Sequence, residues 1–353
     1  MKKITALLIT AILCACSSAP RTKELFSAYT PNQTAETQTN ALNFLHDENS
    51  VEYRETDHLK QITILTSKEI KPPFKFSRLT AGAMAGALDE HSSVLLEIQV
   101  IKDNIASPWM QLSYLDFAEF KSFPKQTNET GTLDTDLFTA NEYATSYRYR
   151  LTLTGATQVN DVFSSVTKYG ARHTNKLSKI EDPQRIYLDV PRISQFQHGG
   201  DVKSRICNPT TITMSLYFHD HDITLEEVYT KTYDAQAANY GNWLNALATA
   251  NHYGLRGMLV YFDNFEQVYD QLKQGRIVIA SVRFKKGELK GFPLGGSKGH
   301  LILIKGVDEK GNIIANDSAA ETDLDVEIIY NKKQFANVWL KNRGGPGYII
   351  WKE

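Results

Sequence analysis

Cys207, His300 and Asp317 are the residues whose types and settings could carry covalent chemistry, and Gln195 suits the same task. A thiolate attacks carbonyl carbon readily, and a thiol at a helix N-terminus is acidified by the dipole and the unused amide N–H groups. Cys207 directly precedes Asn208-Pro209, where a helix is expected to start, with Asn208 as its cap and Pro209 in the first turn. Such a thiol needs a base, and Gly299-His300 lies just ahead of the apolar run 301–307, a strand end that can present an imidazole beside a cleft. The imidazole in turn needs an orienting partner. Asp308-Glu-Lys-Gly311 reads as a hairpin turn between strands 301–307 and 312–316. Pairing Asp308 with Gly311 sets His300 opposite Ala319, with Asp317 two places away on the same face. A bulge at Gly311 shifts that register by one and still leaves His300 and Asp317 near the same strand end. Acyl transfer builds negative charge on a carbonyl oxygen, which fixed donors stabilise. The Gln195 amide and the Cys207 N–H are the candidate donor pair.

These groups must be held by a C-terminal α+β unit. Segment 185–190 reads as a strand ending at Pro191. Helices are expected over 209–218, 225–229, 242–252 and 265–274, and strands over 277–284, 301–307 and 312–316. Helices followed by a sheet indicate an α+β domain. Ahead of it, from about 50 to 180, the runs 61–66, 93–101 and 147–154 are short and alternating, as in an antiparallel β-sandwich, here expected to be of jelly-roll type. Trp243 and Asn208 are the candidate substrate-binding residues, although a Trp opening a helix is more often core. His219-Asp-His-Asp222 sits at a helix end with no fourth ligand in view and reads as a solvated loop, so no metal and no cofactor are expected.

The N-terminus carries its own chemistry. Met1-Lys2-Lys3 and the apolar run 4–13 have the form of a secretory signal, too short to span a bilayer as a helix. Leu13-Cys14-Ala15-Cys16-Ser17 resembles a bacterial lipobox, which implies cleavage before Cys16 and acylation there. The expected divisions are a signal peptide over 1–15, a lipidated tether over 16–48, a β-sandwich over 49–180 and the α+β domain over 181–353. The protein is then exported and held to a cell-envelope membrane through Cys16, the outer one where the source has two membranes. Of the 3 cysteines, Cys14 leaves with the signal and Cys16 is lipidated, so Cys207 has no partner and must be buried or used. With 39 basic against 40 acidic residues, the chain is not a nucleic-acid binder driven by overall basicity. Its 17 Tyr, 16 Phe and 4 Trp speak against extensive disorder.

The order Gln, Cys, His, Asp is that of papain-type cysteine peptidases. Val190-Pro191, Ser194-Gln195, Cys207-Asn208-Pro209-Thr210-Thr211, Tyr240-Gly-Asn-Trp243, Gly299-His300 and Asn316-Asp317-Ser318 together make segment 187–353 resemble the C39-like peptidase family, which is similar to the domains that process double-glycine bacteriocin leaders. Many relatives have Pro where this chain has Ser318, which loosens a turn that Pro would fix. Segment 70–175 resembles, more weakly, the β domain preceding such peptidases in some secreted members, through Ser107-Pro-Trp109, 132–136 and 147–153. The resemblance implies a papain-like fold and peptide (amide) hydrolysis through Cys207, His300 and Asp317, with a peptide or protein as substrate. Two rival readings use the same residues. In one, the catalytic domain is idle and the β-sandwich holds a glycan or a protein partner. In the other, the thiol transfers acyl groups or cleaves cell-wall peptides.

Overall fold

Alternation of apolar and polar side chains builds most of the first half of the molecule. In strand Ser146–Thr154, every second residue (Tyr147, Tyr149, Leu151, Leu153) is buried. The computed structural model describes residues 23–24, 40–46, 48–155, 157, 159, 161–171 and 184–352. The segment expected to be a signal sequence, Cys14 and the lipidation candidate Cys16 lie outside these. Two antiparallel sheets make up the N-terminal β domain. One runs, edge to edge, through Lys23–Glu24, Ala41–His46, Asp161–Lys168, Phe76–Met84, Leu137–Ala144, Gly131–Asp134 and Gln126–Thr127. The other runs through Val51–Asp57, Ile62–Ser67, Ser146–Thr154, Ser93–Lys102, Met110–Asp116 and Phe120–Lys121. The sheets meet at a buried polar knot. The Tyr147 hydroxyl lies 2.6 Å from Ser164 Oγ, and His46 Nε2 lies 2.7 Å from the same oxygen. The Phe76 ring meets Tyr147 edge-on at 5.8 Å.

Strand Ala41–His46 falls in the segment that composition assigned to the tether. It joins the sheet because it alternates weakly, and because tertiary partners satisfy its polar Asn43. Asn43 Nδ2 donates to Tyr261 O at 3.1 Å, and Tyr261 N–H donates back to Asn43 Oδ1 at 2.8 Å. Both partners lie in the C-terminal domain, so this strand is also part of the junction between the two halves.

The C-terminal sheet is antiparallel, in the order Arg256–Tyr261, Pro346–Trp351, Ile277–Phe284, Ser297–Val307, Ile313–Asn316 and Glu327–Tyr330. The expected strand at 185–190 is only Ile186–Tyr187, paired with the end of Ser297–Val307. Beside the sheet pack helices Cys207–Phe218, Leu225–Thr232 and Trp243–His252. Helix Cys207–Phe218 is buried from Asn208 to Leu216 although it is rich in hydroxyls. Those hydroxyls bond back to the helix's own carbonyls: Thr210 to Ile206 O at 2.7 Å, Thr213 to Pro209 O at 2.9 Å and Ser215 to Thr211 O at 2.8 Å. Local bonds of this kind remove the cost of burying polar groups, so a helix of low amphipathicity can sit in the core.

Candidate functional site

The nucleophile candidate opens that central helix. Cys207 is its first residue, half-buried, with Ile206 and not Asn208 at the cap position. The N–H of a first helical residue has no intrahelical acceptor, so it is available to a ligand. Across the interface stands His300, in strand Ser297–Val307 and 5% exposed. Its Nε2–H donates to Asp317 Oδ1 at 2.7 Å, which leaves Nδ1 for the Cys207 thiol, with which the imidazole is hydrogen-bonded. The Leu301 backbone N–H also donates to the sulfur. The Phe292 ring walls the imidazole edge-on at 5.3 Å and restricts its rotation.

Asp317 follows the last residue of strand Ile313–Asn316 and is fully buried. Three donors hold its carboxylate: His300 on Oδ1, Ala319 N–H on the same oxygen at 3.0 Å, and the Tyr330 hydroxyl on Oδ2 at 2.7 Å. Tyr330, on the neighbouring strand Glu327–Tyr330, was not legible as a site residue in the sequence. An isolated Tyr closing a strand carries no motif.

The electrostatics push the pair towards thiolate and imidazolium. For His300, burial favours the neutral ring, yet the Asp317 charge and hydrogen bond, with the thiol's contribution, outweigh it and raise the proton affinity well above the usual imidazole range. For Cys207, burial favours the neutral thiol, but the hydrogen bond and charge of His300 and the Leu301 N–H lower it below the ordinary thiol value. Asp317 partly opposes the second shift by its negative charge.

Gln195 is buried at the start of the short helix Gln195–His198. Its N–H donates to Ser318 O at 2.9 Å, while the Ser318 hydroxyl donates to Gln195 Oε1 at 2.8 Å. Its Nε2 donates to Lys203 O at 2.7 Å, which leaves a single amide N–H for an oxyanion. Ser318 therefore does not merely loosen a turn: its hydroxyl ties the amide of Gln195 to the residue next to Asp317, a bond that Pro could not make. The loop before Gln195 is pinned from the same strand end, since Asn316 Nδ2 donates to Pro191 O at 2.8 Å.

Asn208 is a correction to the expected binding surface. It is fully buried, and its Nδ2 donates to Asn242 O at 3.2 Å, so it supports the nucleophile helix from beneath and offers nothing to a ligand. It turns inward because the first helical turn here packs on the start of helix Trp243–His252. Trp243 is half-buried and lines a cleft of ≈ 680 Å³ whose other wall is the β-domain hairpin carrying Asp134 and Asp136. The Arg343 guanidinium lies 5.7 Å from the Trp243 ring in the same cleft. Burial raises the Asp136 carboxyl to about 6, against the N–H donated by Trp243. Among the described residues no group of three or more His, Cys, Asp or Glu is arranged to hold a metal ion.

A central helix beginning in Cys, packed on an antiparallel sheet that carries a buried His–Asp pair, defines the papain-like class of α+β domain. Residues 187–346 match the Peptidase_C39 like family, and residues 18–173 match the Peptidase C39 N-terminal domain. Two solved structures are similar. One is a double glycine motif protease from an AMS/PCAT transporter in complex with the leader peptide, 18% identical over 50% of this chain and 100% of that one, with a TM-score of 0.32. The other is described as a C39-like peptidase from Bacillus anthracis, 15% identical over 48% of this chain and 99% of that one, with a TM-score of 0.36. No curated protein matches the chain.

Proposed function

We propose that this protein is a cysteine peptidase that cleaves amide bonds, tethered to a bacterial membrane through Cys16. The observation that carries the reading is the buried His300–Asp317 bond of 2.7 Å, which turns the other ring nitrogen to the Cys207 thiol at a helix N-terminus. In the first step Sγ bonds to the carbonyl carbon while the imidazole holds the thiol proton on Nδ1. The Cys207 N–H and the free amide N–H of Gln195 receive the developing oxyanion. The tetrahedral adduct collapses by breaking the C–N bond, and Nδ1 passes its proton to the leaving amine. Water, deprotonated at Nδ1, then hydrolyses the thioester and releases the acid. The tether rests on Leu13-Cys14-Ala15-Cys16.

Iodoacetamide alkylation of Cys207 against pH, read on the peptide that carries it, tests this for native protein and His300→Ala. The native thiol is expected to react well below pH ~8.5, the free-thiol reference, and His300→Ala to lose that reactivity. Peptide cleavage is expected to vanish in a folded Cys207→Ala. A native thiol no more reactive than a free one, or a cleaving Cys207→Ala, overturns the proposal.

A further inference from the structure

Besides the strand that meets Tyr261, the β domain reaches the peptidase domain at the start of helix Trp243–His252. Asp136 sits in the tight turn between strands Gly131–Asp134 and Leu137–Ala144, where Thr135 takes a φ of 56° and the buried Thr80 hydroxyl donates to Asp136 O at 2.7 Å. So fixed, Asp136 Oδ2 accepts the backbone N–H of Trp243 at 2.9 Å. Two further β-domain contacts converge nearby. Asn245 Nδ2 donates to Phe120 O at 2.6 Å, and Ser122 N–H donates to Asp234 Oδ2 at 3.3 Å. The same Asp234 oxygen holds Asn242 Nδ2 at 2.6 Å.

Asn242 is the hinge of the arrangement. Its side-chain oxygen caps the helix by accepting from Leu244 N and Asn245 N, and its carbonyl accepts from Asn208, the residue beside Cys207. An unbroken path of two hydrogen bonds and two peptide links, Trp243 to Asn242 and Asn208 to Cys207, thus runs from a β-domain carboxylate to the backbone of the nucleophile. The Asn208 side chain also meets the buried Tyr348 hydroxyl, and its Nδ2 bond to Asn242 O ties it to the start of helix Trp243–His252.

We propose that Asp136 is a positioning residue for Cys207: by holding the Trp243 N–H it sets the Asn242 carbonyl, and through Asn208 the placement of the thiol against His300. The β domain is then a working part of the peptidase site and not a separate binding module. This rests on the reading of Cys207 as the nucleophile.

The test uses the full chain and follows alkylation of Cys207 by mass spectrometry against pH, which needs no substrate. In Asp136→Ala the apparent thiol pKa is expected to rise by about one unit, slowing alkylation below it ~10-fold. Asp136→Asn keeps an acceptor oxygen in place and is expected to restore the native profile. Asp134→Ala, which removes a carboxylate from the same cleft but no bond to helix Trp243–His252, is expected to leave the profile unchanged. Should Asp136→Ala fail to fold, Asn208→Ala cuts the same path from the other end and is expected to give the same loss. A folded Asp136→Ala or Asn208→Ala with the native profile overturns the inference while the proposed activity stands. A native thiol without His300-dependent reactivity overturns both.

Discussion

Replacing Asp317 by Asn removes one charge from the site while keeping its shape. The carboxylate accepts from His300, Ala319 and Tyr330, and an Asn oxygen facing His300 preserves the first two bonds, with its NH₂ group directed to the Tyr330 oxygen. What disappears is the attraction between carboxylate and imidazolium. A hydrogen bond to a charged group is worth about 1.5–3 kcal/mol, so the His300 proton affinity should fall by roughly one to two pKa units at 1.36 kcal/mol each. The same charge disfavours the Cys207 thiolate from farther away, so its removal returns part of that loss. The net cost to the thiolate–imidazolium pair is then about 1.4 kcal/mol, or tenfold in its population. Alkylation of Cys207 at pH 7 should slow about tenfold in Asp317→Asn, with the acid limb of the profile moved towards the free-thiol value. Peptide cleavage should fall at least as far without vanishing, because the partner orients the ring and does not attack. Thermal unfolding in parallel confirms the fold. An unchanged alkylation profile in a folded variant would refute the reasoning, because the charge would then play no part in forming the ion pair.

Tyr330→Phe leaves Asp317 Oδ2 buried without its donor, so urea denaturation should show a loss of about 1–3 kcal/mol, with Cys207 alkylation much less affected than in Asp317→Asn. Lys305 is fully buried, and its Nζ lies 2.7 Å from Glu327 Oε2. Glu327→Gln removes the charge paired with this buried ammonium, leaving it neutral acceptors such as Val190 O, and should destabilise by about 3 kcal/mol. Burial alone would raise the Glu327 carboxyl, but hydrogen bonds from Lys305 and Tyr187 hold it below its ordinary value. A depressed carboxyl stabilises the fold above its unfolded pKa of about 4.3 and loses that contribution as pH falls through the folded value. Native protein should therefore lose its advantage over Glu327→Gln in acid, and denaturation at two pH values checks this.

Some of the site could be read directly. Pro209 beside Cys207 fixed a helix start within two residues, since a ring without an N–H is tolerated there and penalised farther in. The hairpin after Val307 was also legible in outline. Leu303 faces Asn316 and Ile304 faces Ala315, the pairs expected from the turn, but a register shift then sets Gly306 opposite Ile314. The turn closes with Asp308 N–H on Asn312 O, one residue later than expected. Because the shift lies on the turn side of Ile304, it leaves the strand end that carries His300 and Asp317 in the expected frame. By contrast, Asn208 was misread as a cap and a binding residue, because propensity at a helix start says nothing about what packs beneath it.

The sequence by itself determined the periodic and local things: alternating strands, helix starts and stops, and the order in which thiol, amide, imidazole and carboxylate appear. These follow from steric and hydrogen-bonding preferences that act over a few residues. Tertiary structure alone decided that Tyr330 holds Asp317, that Ser318 orients Gln195, and that Asp136 reaches the start of helix Trp243–His252 across 107 positions of chain. Each is a single polar contact between residues with no shared pattern. Such contacts become specific only when packing has removed water and left each buried donor one acceptor within reach.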